Sequence, residues 1–319
     1  MLSKLWNDLF RPIGRPLPIV GIEGHLARIF FAIMVCLMMP EKFVFGSQDR
    51  PTGLAHYFDL TWLSEPSAMP TVRIVVGVLC LLYAANLILP VVLPVLTLLH
   101  VIVFTFNNSQ GYTHHGNQII SLILVAQTLV TLTMAVYRKA TGRPLCSGPG
   151  VNRDSCFIYF SQVVVAGVYM TSVVSKFDES GGQWVQKLPN ISVQLIKTHR
   201  QEFYSNPAKS SVARDAEVPM SQYMLENPTK TRFVLTAGMI VEGIAGLCLL
   251  NRGWGLVFGL LLIMFHTVVA HMFHLYFDLN KWASLIYLIN IPFWIMYLLG
   301  VPIAPKPRPA TVPEDSAPR

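Results

Sequence analysis

Long apolar stretches alternate with short polar ones along this chain, and the lengths of the apolar stretches predict the fold. A helix needs about 20 mostly apolar residues to cross the hydrocarbon core of a bilayer, with a range of roughly 17 to 25. Eight stretches meet this length or come close to it. They predict an all-α, polytopic membrane bundle of about eight transmembrane helices, at 26–45, 71–89, 91–106, 118–137, 157–176, 233–250, 254–275 and 281–300.

The polar segments divide the chain around this membrane domain at 26–300. In the N-terminal segment 1–25, Trp6 and Phe10 share one helical face with three leucines, which predicts a short interfacial helix. An ordinary surface helix fits that pattern equally well. The long loop 177–232 is punctuated by prolines and predicts a small outward cap, whereas the proline-rich tail 301–319 predicts disorder.

Composition and charge place the chain in a lipid membrane. Only 13% of its residues are charged, against about 25% in a soluble domain. The net charge of +7 comes mainly from the N-terminus, loop 138–156, the turn 251–253 and the tail. Cytoplasmic loops collect Lys and Arg, so both termini are predicted in the cytoplasm of a bacterial inner membrane. This distribution explains the charge without a nucleic-acid partner.

Polar side chains interrupt the apolar pattern at the outward ends of several predicted spans. Lys176 ends the fifth span and is followed by Trp184, and Glu242 lies deeper, inside the sixth. Ionisable groups within a membrane are costly and usually functional. The other candidates precede the fourth span or close the seventh: Asn108, His114, His115, His266, His271 and His274.

Lys176 is the candidate with the clearest chemistry. Burial favours the neutral amine of a lysine, which can then act as a base near neutral pH. Imidazoles beside it could donate hydrogen bonds to an oxyanion or a quinone oxygen. The competing interpretation is that Lys176 simply extends its amine to the headgroups, as lysines at span ends commonly do.

Four segments occur in an order that resembles a known family: NNSQGYTHHG, IYFSQVVVAGVYMTSVVSKFDESGGQW, MIVEGIAGLCLL and IMFHTVVAHMF. The family comprises the horizontally transferred transmembrane (HTTM) domain proteins and the membrane part of vitamin K-dependent gamma-carboxylases. The resemblance implies that Lys176 is the base that takes a proton from a vitamin K-like hydroquinone. It also implies functional roles for His115 (or His114) and His266.

The chain departs from that family at two points. It carries Ser-Gly-Gly between Lys176 and Trp184, and it ends about where the family's large lumenal domain begins. The resemblance therefore implies the membrane chemistry rather than carboxylation of a protein substrate.

The leading prediction is a quinol-linked oxidase or carboxylase-like enzyme acting at the outer leaflet. Lys176, His115 and His266 are its predicted catalytic residues. The predicted substrate or quinone ligands are His114, His271, His274, Glu242, Trp184 and Asn108. No metal is expected with the hydroquinone.

Three alternatives remain. The first is a non-catalytic scaffold or accessory subunit that binds lipid, a quinone or a membrane partner protein. A metal site at His271, His274 and Asp278, spaced i, i+3 and i+7 on a helix, is weaker because it supplies at most three ligands. Transport would use ionisable residues inside spans, such as Glu242 and His100, but no inverted repeat is evident.

Overall fold

A computed structural model describes residues 6, 9–10, 21–40, 53–109, 116–145, 152–205, 218–273 and 275–301. All regular structure in these residues is helical, and they contain no strand. The all-α prediction is therefore confirmed for the described part of the chain. Most of segment 1–25 and all but the first residue of the tail 301–319 lie outside it.

Twelve α-helices are described, and we number them in chain order. They are α1 (Gly21–Met38), α2 (Ala68–Ala84), α3 (Leu89–Ser109), α4 (Gly116–Thr141), α5 (Arg153–Glu179), α6 (Trp184–Lys187), α7 (Ile191–Ser205), α8 (Val218–Glu226), α9 (Pro228–Gly243), α10 (Arg252–Phe273), α11 (Asp278–Ala283) and α12 (Ile291–Leu298). Short 3-10 helices occur at Gly53–His56, Thr61–Ser64, Leu188–Asn190 and Ala245–Leu249, and a π-helical turn at Ser284–Leu288.

Five of the described helical segments are long and apolar enough to cross a membrane. They are Leu89–Ser109, Gly116–Thr141, Arg153–Glu179, Pro228–Leu249 and Arg252–His271. The pair Asp278–Leu288 and Ile291–Leu298, bent by 48°, adds a sixth if it forms one span, and α2 is apolar but shorter. The chain thus has several helices suited to spanning a membrane, while the predicted number of eight is not confirmed.

A buried polar network links the packed helices of the core. The Tyr83 hydroxyl donates to Gln127 Oε1 at 2.6 Å. The Gln127 amide in turn donates to Ser161 Oγ at 3.0 Å and to the Tyr287 hydroxyl at 3.1 Å. Each of these polar groups therefore has a partner inside the bundle, and interhelical hydrogen bonds of this kind hold membrane helices together.

The bend between α11 and α12 has a local cause. In the π-helical turn the Ile289 amide donates to the Ser284 carbonyl at 2.9 Å, and Gln162 Nε2 donates to the Tyr287 carbonyl at 2.8 Å. Asn290 follows with a left-handed φ of 60°. A π-bulge and a left-handed residue both break the regular helical ladder, so α12 leaves at an angle to α11.

The N-terminal ends of α1, α5 and α10 meet at one end of the bundle, which we call the basic end. Arg28 in α1 donates to Asp154 in α5, and the Asp154 side chain occupies the space beside Gly24. At Gly24 an added Cβ would lie 2.3 Å from Asp154 Cβ. The ring of Phe10, from the N-terminal segment, likewise occupies the space where a Cβ at Gly253, at the start of α10, would lie.

The described part of loop 177–232 forms helices at the opposite end, which we call the cap end. Their buried residues make a second hydrophobic cluster with α9 and α10, formed by Leu188, Leu195, Met224, Leu235 and Val269. Trp184, Phe265 and Phe277 pack against this cap cluster. The loop therefore lies over the membrane helices as a packed layer at that end.

Candidate functional site

Lys176 and Glu242 form an ion pair at the cap end. Lys176 lies in the last turn of α5, and its amine donates to a carboxylate oxygen of Glu242 on α9. The Glu242 side chain is 6% exposed and that of Lys176 26% exposed. The sequence interpretation placed Glu242 deeper than the other candidates, but the structure brings it directly to the Lys176 amine.

Small residues allow α9 and its 3-10 extension to approach this face of α5. An added Cβ at Gly243 would lie 3.8 Å from Val173, and one at Gly246 would lie 3.1 Å from Met170 Sδ. Met170, Val173 and Lys176 follow at three-residue spacing and share one side of the helix. Glycines in membrane helices permit such close contacts, and here they place Glu242 within reach of the lysine.

Trp184, the first residue of the cap helix α6, covers the pair. The Lys176 amine lies 5.4 Å from the centroid of the indole ring, within the distance of a cation–π contact. Trp184 is half-buried and packs against the cap cluster. The ion pair is consequently shielded from bulk water on the side that faces the cap.

His266, on α10, is the second polar centre of this region. The residue is buried, and its Nε2 lies 2.9 Å from the Tyr169 hydroxyl. Tyr169 is two helical turns before Lys176 on α5. The rings of Phe277, Tyr169 and Phe265 surround the imidazole, with centroid distances of 4.9, 5.4 and 5.5 Å.

Asn280 and Ser284, one helical turn apart, lie beside the Tyr169 hydroxyl. Within the described residues, Asn280 Oδ1 and His266 Nδ1 are buried and have no hydrogen-bond partner. A buried polar atom without a partner costs about 1–3 kcal/mol and requires an explanation. These two atoms are therefore candidates for bonding a polar ligand group or water.

These side chains come from α5, α6, α9, α10 and the bent last span. We refer to them together as the cap-end site, which consists of Lys176, Glu242, Trp184, Tyr169, His266, Asn280 and Ser284. The Phe265 ring in the wall of this site packs directly against Gly238. An added Cβ at Gly238 would lie 2.2 Å from that ring, so the position of the ring depends on the glycine.

Sequence reasoning selected four of the seven residues and missed Tyr169, Asn280 and Ser284. Tyr169 stands seven residues before Lys176, so the helical period puts both on one face of α5. That spacing was a usable signal. Nothing in the sequence marked Asn280 and Ser284 as site residues. It does not show that the helices after α10 place them close to α5.

The remaining predicted site residues are not placed in the cap-end site. His114 and His115 lie outside the described residues, as does His274. Asn108 is half-buried in the last turn of α3. His271 is exposed at the end of α10.

The helix that would carry the predicted stripe of His271, His274 and Asp278 is not continuous, and His274 lies outside the described residues. The helix α10 ends at Phe273, and Asp278 begins α11. Leu275 and Phe277 between them pack against the cap cluster, which turns the chain. Asp278 instead pairs with Lys281 at 2.6 Å. No group of three His, Cys, Asp or Glu residues in the described part of the chain could hold a metal ion.

The energetics of the ion pair give a first testable expectation. Lys176→Met leaves the Glu242 carboxylate buried without its cation and should destabilise the protein by about 2–3 kcal/mol, less than the roughly 3–5 kcal/mol of a fully buried pair, because Lys176 is 26% exposed. Glu242→Leu should cost less, because the partly exposed Lys176 amine can extend toward the headgroups. The double variant should recover much of the loss.

Unfolding of the three variants in detergent would be compared with wild type. Lys187→Met, at an exposed lysine of the cap, is the matched control and should be neutral. Strictly additive losses in the double variant would contradict a direct pair.

Comparison with known proteins assigns this chain to no family. No family model, no curated protein and no solved structure matches it. The functional conclusion therefore depends on the chemistry of the cap-end site.

Proposed function

We propose that this chain is a membrane-embedded enzyme that takes a proton from a hydroquinone at the cap-end site and so promotes its oxidation by molecular oxygen. The observation that carries the proposal is the Lys176–Glu242 pair, covered on one side by Trp184, on a helix whose Tyr169 contacts the buried His266. In this proposal α1, α2 and the bent pair complete eight spans. Both termini then lie in the cytoplasm of a bacterial inner membrane.

The paired amine and carboxylate act together as the base. If Lys176 is protonated, an incoming proton ends on the Glu242 carboxylate. If the pair is neutral, the proton ends on the Lys176 amine. In either case the pair takes up one proton, and the shielded setting keeps water from competing with the ligand.

The residues present fit a hydroquinone. Such a molecule is a flat ring with a hydroxyl group at each end, so it requires apolar walls and polar groups at two places. Phe265 and Phe277 supply aromatic walls next to His266. His266 and Asn280, each with a buried polar atom that has no hydrogen-bond partner among the described residues, supply polar groups apart from the Lys176 amine.

The overall reaction balances with oxygen as the co-reactant. A hydroquinone supplies two electrons and two protons, which oxygen accepts to give a quinone and hydrogen peroxide. The chain positions the hydroquinone, excludes water and accepts the first proton at the Lys176–Glu242 pair. The His266 imidazole is held by the Tyr169 hydroxyl, and we assign its Nδ1, which has no hydrogen-bond partner among the described residues, to a ligand oxygen.

The resemblance to HTTM proteins and gamma-carboxylases supports the roles of Lys176 and His266. It also assigns His115 (or His114) to the same chemistry. We include these histidines in the proposal as hydrogen-bond donors to the ligand.

A second candidate function is a non-catalytic membrane subunit. The observation that favours it is the completeness of the ion pair, since the Lys176 amine already has both an anionic and an aromatic partner. In this alternative the cap-end site binds a quinone, a lipid or a partner protein and performs no reaction.

Oxygen uptake separates the two functions. The purified chain in nanodiscs would receive a short-tailed naphthohydroquinone, and oxygen consumption and peroxide would be followed. The enzyme proposal predicts uptake well above autoxidation, with one peroxide formed per oxygen. Quinone binding with uptake equal to the protein-free background would contradict catalysis and support the accessory function.

A further inference from the structure

A cleft of about 650 Å³ opens at the basic end of the bundle, away from the cap-end site. The start of α3, the end of α4 and the start of α5 form its walls. Its lining includes Pro90, Met134, Arg138, Lys139, Leu145 and Arg153. A volume of this size is sufficient for a phospholipid headgroup or another small ligand.

The polar lining of the cleft is cationic. Arg138, Lys139 and Arg153 contribute positive charge, and none of the described lining residues is acidic. Asp154, adjacent to Arg153 in the chain, is already paired with Arg28 on another helix.

Arg153 supplies a donor within this lining. One of its terminal nitrogens donates to Asn86 Oδ1. A guanidinium in a cleft binds phosphate oxygens well, because its planar set of donors matches their geometry.

The other wall of the cleft is apolar and continues onto the lipid-facing surface. Met134 and Leu145 line it together with Pro90. Val91 on α3 is 60% exposed, and Leu132 and Val136 on α4 are 38% and 66% exposed. These exposed apolar residues lie next to the cleft in the chain, one on α3 and two on α4.

We propose that this cleft binds an anionic phospholipid from the leaflet at the basic end. Its phosphate lies against Arg138, Lys139 and Arg153, and its acyl chains follow the exposed apolar surface of α3 and α4. The combination of three cations with an apolar exit favours a lipid over a free anion, which would use only the charged half. Basic pockets between membrane helices bind anionic headgroups by the same combination.

This site is independent of the proposed function. Arg153 and Lys176 stand at opposite ends of α5, roughly 35 Å apart along the helix axis at 1.5 Å per residue. A change in lipid binding at the basic end therefore does not test hydroquinone chemistry, and loss of that chemistry leaves this proposal intact.

The test is enrichment of anionic lipid around the purified full-length chain. The protein would be equilibrated in bilayers of equal parts phosphatidylglycerol and phosphatidylcholine, captured with minimal detergent, and its retained lipids counted by mass spectrometry. Wild type should retain phosphatidylglycerol preferentially. Each basic side chain near a membrane strengthens such attraction by about fivefold, so Arg138→Gln with Lys139→Gln should reduce the preference by about 25-fold.

A matched double variant controls for net charge. Arg143→Gln with Lys187→Gln also removes two charges, but neither residue lines the cleft, and the preference should remain. An unchanged preference in the cleft variant, or an equal loss in the control, would overturn the proposal. Full displacement of the lipid by millimolar inorganic phosphate would also overturn it, in favour of a free-anion site.

Discussion

Replacing Lys176 with methionine should reduce hydroquinone-driven oxygen uptake by about 100-fold to 10,000-fold, the usual contribution of a positioned base. Methionine preserves much of the side-chain volume but cannot take up a proton. The Glu242 carboxylate would remain buried beside the ligand without the amine that connects the two. Initial rates of oxygen uptake in nanodiscs, corrected for autoxidation, provide the measurement.

Two further variants make this result specific. Glu242→Gln keeps the size and a hydrogen-bond acceptor but removes the carboxylate from the shared base, so we expect a comparable loss. Lys187→Met removes a lysine that is exposed on the cap and should leave the rate unchanged. A wild-type rate for Lys176→Met, with hydroquinone still bound, would exclude Lys176 as the base.

Replacing Glu23 with leucine should destabilise the protein by about 3–5 kcal/mol, the typical cost of removing one partner from a buried ion pair. Glu23 is 1% exposed and accepts two hydrogen bonds from Arg252, at 2.7 and 2.9 Å. Asn290 Nδ2 donates to the same carboxylate at 2.7 Å. One carboxylate therefore connects α1, α10 and the bend before α12, and its loss leaves Arg252 charged and buried.

The geometry of the Arg252 guanidinium also predicts a smaller loss of stability for a conservative substitution. Arg252→Lys retains the charge but cannot form both parallel hydrogen bonds to Glu23, so its loss should lie between wild type and Glu23→Leu. Glu226→Leu, at an exposed carboxylate of α8, is the matched control. Apparent melting temperature and membrane yield would report the effect, and equal stability of Glu23→Leu and Glu226→Leu would contradict the buried network.

The hydrophobic pattern predicted the helices well because each apolar stretch determines its own structure. Their ends were less predictable. Helix α1 begins at Gly21, ahead of the predicted start at 26, and so also contains Glu23. Hydropathy excluded this carboxylate from the span, but Arg252 pairs with it from a distant part of the chain, as Asp154 does with Arg28, which the predicted span already contained.

Local signals explain other helix ends. Helix α5 begins at Arg153 because Asn152 and Ser155 form a capping box, with reciprocal hydrogen bonds of 2.9 and 2.8 Å. The N-terminus of a helix leaves amides without partners, and such a box satisfies them. This pattern could have been read from the sequence.

The candidate site was predictable as individual residues but not as an arrangement. Lys176 and Glu242 are conspicuous in apolar surroundings, yet they lie 66 residues apart and nothing local indicates that they pair. Asn280 and Ser284 belong to residue types that are common at membrane helix contacts. Their position beside Tyr169 depends on how α11 and the π-helical turn pack against α4 and α5, which nothing local to them indicates.

An experimental density map of the chain in a nanodisc, with a short-tailed hydroquinone added, tests the central claim most directly. We expect the Lys176 amine to be bonded to Glu242 beneath Trp184, with density for the ring lying between that pair and His266. An amine directed into the lipid, or ring density bound away from both the pair and His266, would contradict the account.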